Sequence, residues 1–352
     1  MKALFVYKYL GLGGAEAVLG CRLEGLPSLG VDAHAWFLRD GPGRGMFHDT
    51  PSRIHIGGID ELKRHLEIAS PDVVAVLDTE EALPALRDEV VGRALIVEIH
   101  TPYPENRVYL RWIDRVRVRA FFTPTEYQAS LVAHRTRQTA PTFVIPNPLQ
   151  STFLSDLATV RDTPPSQVVA WVGRLDELKN WRDCLKVVES LRKMRDGTEL
   201  WIVGTSNEEG GATSLMQEAE RRGVLGHFRW YSGLPHHRMP RFFDMVRESG
   251  GIVLSTSREE SFGLSVAEAM ARGCAVVVPD RSAFHEFVED GRHGKTYKPG
   301  SAKDAALCVK ALLEDSTLRE ACGIRARTDI LKKHAPSVAL PILVEALRRL
   351  AT

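Results

Sequence analysis

Short apolar runs alternate with amphipathic segments along nearly the whole chain. The runs are three to six residues long, and most are followed by a stretch with helical periodicity. This pattern is typical of a parallel sheet that is buried on both faces and joined by crossover helices. The first part of the chain predicts six strands, at 3–7, 33–38, 73–77, 95–99, 120–122 and 142–145.

The alternation breaks once and then restarts. Residues 149–167 include Pro164 and Pro165 and show neither helical periodicity nor the alternation of a strand, so we predict a linker there. Beyond it, the pattern predicts strands at 168–172, 200–203, 228–231, 251–255 and 275–279, and helices at 185–195, 214–222, 265–272 and 302–313. The expected fold is therefore α/β, with two doubly wound domains at 1–148 and 168–335 and a helical tail at 337–352.

Length and charge narrow the possible functions. The chain has 352 residues, more than the roughly 250–300 at which a single core stops growing. Lys and Arg number 46 and Asp and Glu 45, a net charge of +1, so no nucleic-acid partner is expected and any anion site must be local. The five cysteines contain no C-x-x-C pair, which predicts neither disulfides nor zinc and fits a cytoplasmic protein. No apolar run approaches the roughly 18 residues of a membrane span.

A glycine-rich loop follows the first predicted strand. Residues 11–16 read Gly-Leu-Gly-Gly-Ala-Glu and open a helix, where backbone amides favour an anion or a sugar hydroxyl. The spacing differs from G-x-G-x-x-G, and the second strand ends without an acidic residue, so a nicotinamide enzyme is not expected. Two interpretations stay open: Gly13 and Gly14 contact a ligand, or they form a tight turn with none.

One histidine stands out by its place in the predicted sheet. His100 ends the fourth strand, at the edge where open α/β sheets bind ligands, and its ring can bond a substrate hydroxyl. The alternative is a capping role. His236 and His237 are expected to lie in a solvated turn.

Two cations follow the first strand of the second domain. Arg174 and Lys179 lie in one predicted loop and could bind a diphosphate without a metal ion. The competing interpretation is a pair of surface cations neutralised by Asp176 and Glu177.

The segment 257–270 is the most informative. Glu260 lies in a loop, Phe262-Gly263-Leu264 follows it, and Glu268 falls within the next predicted helix. The start of that helix offers a second set of amides to an anion, and Glu268 can accept both hydroxyls of a ribose.

These motifs together resemble the GT-B glycosyltransferases of family 4, retaining enzymes with a Glu-x7-Glu motif. The family pattern Glu-Gly-Phe-Gly-Leu-Pro-x-x-Glu corresponds to residues 260–268, with Ser261 and Ser265 in place of Gly and Pro. The family's Gly-Arg-x4-Lys-Gly corresponds to 173–180, with Asn180 as the last residue. Weaker similarities lie at 13–16, 100–101, 123–126, 145–148 and 286–291.

The resemblance implies a fold and an activity. Two Rossmann-like domains would face a central cleft, the first binding the acceptor and the second the nucleotide sugar, and the tail at 337–352 would cross back to the first. The activity would be retaining transfer of a sugar from a nucleoside-diphosphate sugar to a hydroxyl acceptor such as a glycan, lipid carrier or natural product. Alternatives are another nucleotide-sugar enzyme, such as an epimerase, and a non-catalytic nucleotide-sugar-binding module.

The resemblance also implies roles for individual residues. Arg174 and Lys179 would hold the diphosphate and Glu268 the ribose, while Glu260 and His100 would contact the sugar. The other expected donor-binding residues are Gly13, Gly14, Ser261, Phe262, Gly263 and Leu264, with the base near Tyr231 and Leu234.

No cofactor is expected, and because the chain lacks Asp-x-Asp we expect a metal-independent reaction. The family mechanism would be front-face attack, with the leaving diphosphate taking the acceptor's proton.

A basic stretch bears on the acceptor. Arg107, Arg111 and Arg115 recur at four-residue spacing beside Trp112, which predicts one basic helical face. Such a face could attract an acidic acceptor or give weak peripheral contact with the inner membrane surface, and the alternative is a solvated face.

Overall fold

The computed structural model describes residues 1–86, 93–111, 113, 116–134, 140–160, 163–206 and 210–351. The chain divides into two compact units, one made of Met1–Ser151 with Lys333–Thr352 and the other of Thr152–Lys332. Residues 152–167, expected in a linker, are thus counted with the second unit.

The first unit is built on a parallel sheet in the order β3-β2-β1-β4-β5-β6-β7. Its strands are β1 (Lys2–Tyr7), β2 (Asp32–Phe37), β3 (Ile54–Ile56), β4 (Val73–Leu77), β5 (Ala94–Glu98), β6 (Ala120–Thr123) and β7 (Thr142–Val144). Its first helices are α1 (Gly14–Gly25), α2 (Ile59–Ala69), α3 (Ala82–Leu86) and α4 (Glu126–Ala133).

Strand side chains of the first unit pack into two hydrophobic cores. Alternate residues of a strand point to opposite faces, so Ile96 joins one core while Leu95 and Val97 join the other. The C-terminal helix, Pro336–Ala351, packs in the first of these cores through Leu343 and Leu347. The tail therefore buries its apolar face in the first unit.

The second unit contains a parallel sheet in the order β10-β9-β8-β11-β12-β13. Its strands are β8 (Gln167–Val172), β9 (Thr198–Val203), β10 (Phe228–Tyr231), β11 (Ile252–Leu254), β12 (Val276–Pro279) and β13 (Gly294–Tyr297). Its helices are α5 (Trp181–Arg192), α6 (Gly211–Arg221), α7 (Met239–Glu248), α8 (Leu264–Ala271), α9 (Ala302–Glu314) and most of α10 (Ser316–His334), and the tail helix is α11 (Pro336–Ala351).

The predicted fold class is confirmed: both units are doubly wound α/β structures. The sequence missed strands β3 and β13, which are short edge strands with half-buried or polar residues and so lack an apolar run. It also missed α7, which has Pro240 in its first turn, and α10, whose apolar residues are widely spaced.

Each sheet has one place where the strand order reverses. The reversal lies between β1 and β4 in the first unit and between β8 and β11 in the second. Loops diverge there at the carboxyl ends of the strands, which is where open α/β sheets bind ligands.

Candidate functional site

The reversal point of the second sheet brings together the loops after β8 and β11. Lys179 from the first loop donates through Nζ to Oε1 of Glu260 in the second, at 2.5 Å. Ser257 Oγ donates to the same Oε1 at 2.8 Å. Both side chains of the ion pair are largely buried, so Glu260 is held in one orientation.

The loop after β8 positions Lys179 by local hydrogen bonds. The Asp176 carboxylate accepts the backbone N–H of Lys179 at 2.8 Å, and the carbonyl of Asp176 accepts that of Asn180. Asn180 then begins α5 with φ +57° and ψ +49°, the left-handed region. Asn tolerates this region better than most non-glycine residues, so it can replace the glycine of the family motif.

Arg174 lies in the same loop, near Asp176. Its Nε is 3.3 Å from Asp176 Oδ2, and about half of the side chain is exposed. The two predicted cations therefore share one loop, and each has a carboxylate nearby.

Helix α8 begins at the predicted amide site. Gly263 precedes the helix with φ +96°, and a Cβ there would lie 2.7 Å from Phe284, so only glycine fits. Ser261 does not require positive φ, which explains why it can stand in place of glycine. Phe262 is buried against Phe287, with ring centroids 5.2 Å apart, and so supports the loop through packing.

Glu268, on the second turn of α8, contacts a histidine from outside that helix. His236 Nε2 lies 2.7 Å from Glu268 Oε1, and its ring packs on Phe153 with centroids 5.3 Å apart. Burial alone would lower the pKa of His236, but the charge and hydrogen bond of Glu268 raise it above its usual value. The expectation of a solvated turn is wrong for His236, whose side chain is only 18% exposed.

The predicted base-binding region lies at the end of edge strand β10. Tyr231 is half-buried and meets Trp201 and Phe242 edge-on, at centroid distances of 5.8 and 5.9 Å. Leu234, three residues later, is also half-buried.

In the first unit, the His100 ring contacts a buried ion pair between Arg22 and Glu98. Its Nε2 lies 3.0 Å from Glu98 Oε2, and Arg22 Nη1 donates to both oxygens of Glu98 at 2.9 and 2.8 Å. The side chains of Arg22 and Glu98 are fully buried. Burial opposes ionisation of Glu98, but Arg22 and His100 hold the pKa of its carboxyl below the usual range.

Asp78 is a residue near His100 that the sequence analysis missed. It follows β4 with φ +40°, and both carboxylate oxygens accept the backbone N–H of His100, at 3.1 and 3.2 Å. Burial raises the pKa of Asp78 despite these bonds. A polar residue directly after a fully apolar strand was the available signal.

The glycine loop of the first unit is occupied by its own side chain. Glu16 Oε1 accepts the N–H of Gly11 at 2.7 Å, and a Cβ at Gly13 would lie 2.8 Å from Glu16 Oε2. Gly13 is extended and Gly14 begins α1. A side chain at Gly13 would therefore meet the Glu16 carboxylate, which already accepts a hydrogen bond from the loop at Gly11.

The predicted basic face is wrong at Arg107. This side chain is buried, only 3% exposed, and donates to Gln128 Oε1, in a 3-10 helix over Glu105–Arg111. Trp112 and Arg115 lie outside the described residues, as does the side chain of Arg111.

The described residues lack two features. They contain no cluster of three or more His, Cys, Asp and Glu side chains placed to hold a metal ion. No helix among them is both long enough and apolar enough to cross a bilayer.

Comparison with solved structures defines the class: the two Rossmann-like units have the GT-B fold. Anabaena Alr3699/HepE, solved in complex with UDP and glucose, superposes with a TM-score of 0.85 at 18% identity, covering 99% of this chain and 100% of that one. Residues 161–329, most of the second unit, match the family model for glycosyl transferases group 1, so the resemblance to that group is confirmed over this part of the chain.

Curated relatives match over part of the chain. A phosphatidyl-myo-inositol mannosyltransferase of Mycobacterium leprae is 26% identical over 219 residues, 59% of this chain and 54% of the relative. A sucrose synthase of Denitrovibrio acetiphilus is 26% identical over 161 residues, 43% of this chain and 20% of the relative. The alignments thus span between a fifth and about half of the length of these relatives.

Proposed function

We propose that the protein is a retaining, metal-independent glycosyltransferase that moves a sugar from a nucleoside-diphosphate sugar to a hydroxyl acceptor. The observation that carries the proposal is the contact between Lys179 and Glu260, which joins the two loops at the reversal point of the second sheet. The family match of this unit and the UDP complex of the Anabaena structure support the choice of donor.

The cations act on the leaving group. Breaking the bond between sugar and phosphate builds negative charge on the diphosphate, and fixed positive charge stabilises that state more than the ground state. Lys179 has three N–H donors, of which Glu260 takes one, so the ammonium can bind Glu260 and a phosphate oxygen together. Arg174 and the amides at Gly263 and Leu264 would add further donors.

The two glutamates would have different tasks. Oε1 of Glu260 accepts hydrogen bonds from Lys179 and Ser257, so Oε2 is the oxygen that would accept a hydrogen bond from a sugar hydroxyl. Glu268 receives His236 on Oε1, which leaves Oε2 to accept a ribose hydroxyl.

His100 would bond a hydroxyl of the donor sugar and so orient the anomeric carbon. In front-face attack, the acceptor oxygen bonds to that carbon as the bond to phosphate breaks, and the acceptor's proton passes to the departing diphosphate. The charges come from the protein's own side chains and amides, so the proposed reaction uses no metal ion.

Donor turnover tests the proposal directly. Purified protein is incubated with UDP-, GDP- and ADP-sugars, with and without simple glycosides as acceptors, and release of nucleoside diphosphate and the anomeric form of the product are measured. We expect slow diphosphate release from one donor and retention of configuration on transfer. Release from none would exclude the proposal, and an interconverted sugar nucleotide would indicate an epimerase.

A further inference from the structure

We propose that Glu98 is a positioning residue for His100, and that Arg22 holds Glu98 in place for this task. The proposal deepens the function proposed above and rests on it for its kinetic consequence. The juxtaposition on which it depends is a continuous buried path from Arg22 Nη1 through the Glu98 carboxylate to His100 Nε2.

Strand geometry puts the three groups on one face. Glu98 is the last residue of β5 and follows Ala94 and Ile96 on the face covered by α1, which supplies Arg22. His100 lies two residues beyond Glu98 and meets it from the same side. The backbone N–H of His100 is fixed separately by Asp78.

The ion pair is not arranged for stability. Arg22 is fully buried, yet its Nε and Nη2 have no hydrogen-bond partner within the described part of the chain, and the guanidinium lies 5.2 Å from the Phe5 ring centroid. Buried pairs of this kind often contribute no more than apolar residues of similar volume would, and unpaired buried donors cost free energy. A functional task for Glu98 accounts for its presence better than stability does.

The chemistry of the contact defines that task. An ionised carboxylate only accepts hydrogen bonds, so the ring nitrogen facing Glu98 must carry a proton. In its neutral form, His100 is therefore fixed with its proton on Nε2 and its ring in one orientation.

Nitrogen NMR of protein labelled with ¹⁵N-histidine measures this state at pH 8, with the His100 signals assigned by their loss in His100→Gln. We expect wild type to hold the Nε2–H form and Glu98→Gln to show a mixture of the two neutral forms. A mixture in wild type, or an unchanged form in Glu98→Gln, would overturn the proposal.

Because Glu98→Gln leaves Arg22 buried without a counter-charge, the double variant Arg22→Met with Glu98→Gln keeps the experiment valid if the single variant fails to fold. Arg22→Lys retains the charge and should keep the wild-type form. Arg222→Met, which removes a partly buried ion pair with Glu218 in the second unit, is the matched control and should leave the spectra unchanged.

Kinetics separate this proposal from the function on which it rests. With the donor that wild type turns over, we expect the double variant to lower kcat/KM about tenfold or more, as loss of an orienting partner does in other sites. Wild-type kinetics in the double variant would overturn the positioning role while leaving the glycosyltransferase assignment intact. If wild type turns over no donor, the assignment fails, and the nitrogen spectra still decide whether Glu98 fixes His100.

Discussion

Lys179 and Glu260 form a largely buried ion pair at 2.5 Å between two loops that are 81 residues apart in the chain. The pair places a cation and an anion at the reversal point of the second sheet. Because the two side chains share this contact, a substitution at either residue also changes the surroundings of the other.

Lys179→Ala should reduce donor turnover. Removing one group that stabilises developing charge typically lowers kcat by about 10²–10³-fold. Steady-state diphosphate release checks this, with Lys186→Ala as the control because Lys186 lies on α5 and pairs with Asp183 at the surface. Equal rates in Lys179→Ala and wild type would remove Lys179 from the site.

Glu260→Gln should separate binding from transfer. The substitution removes an anion beside Lys179, so affinity for free nucleoside diphosphate should stay equal or rise while the transfer rate falls. Calorimetric titration beside rate measurements checks both. Weaker diphosphate binding would show that Glu260 supports the nucleotide rather than the sugar.

Glu268→Ala, in contrast to Glu260→Gln, should weaken binding of the nucleotide itself. Losing a charged hydrogen-bond partner costs about 1.5–3 kcal/mol, or roughly 10–150-fold in Kd, and should weaken free diphosphate and sugar nucleotide alike. The same titrations measure it. Unchanged affinity for a nucleoside diphosphate would contradict the ribose role.

His236 should make stability depend on pH. Burial lowers and Glu268 raises the pKa of His236, with a net value above 6.5, so the folded state binds a proton more tightly than the unfolded chain. The stabilisation should be complete below about pH 6.5 and disappear as pH rises through the folded-state pKa. Urea unfolding of wild type and His236→Gln from pH 5.5 to 9 checks this. A difference between them that grows with rising pH would contradict the assignment.

Asn180→Ala should destabilise the protein by about 1–2 kcal/mol because alanine is strained in the left-handed region. Asn180→Gly, which creates the family's residue, should cost much less, although both variants lose the bond to Asp183. Urea unfolding of the two variants compares them. An equal loss of stability in both variants would mean that the hydrogen bond to Asp183, and not the positive φ, accounts for the effect.

Chelation should not affect the reaction if side chains and amides supply the positive charge. We expect initial rates to be unchanged after treatment with EDTA and dialysis. Activity that is lost with EDTA and restored by Mg²⁺ or Mn²⁺ would show that the proposed charge balance is incomplete.

The sequence by itself determined the fold class and the positions of the motifs. Strand and helix follow from local apolar patterns, and most of the strands of both sheets were found in this way. The choice of glycine at 263 and asparagine at 180 is also a local matter, because each residue adopts the positive φ that a single turn requires.

Only the tertiary structure decided which polar groups meet. Arg22 and Glu98 are 76 residues apart, and His236 and Glu268 are 32 apart, so no spacing rule links them. Each charge lies within or beside an apolar segment, which the sequence displays, but its partner depends on strand order and on which helix covers which face. Burial then gives those pairs their effect, because a charge removed from water must find its partner within the protein.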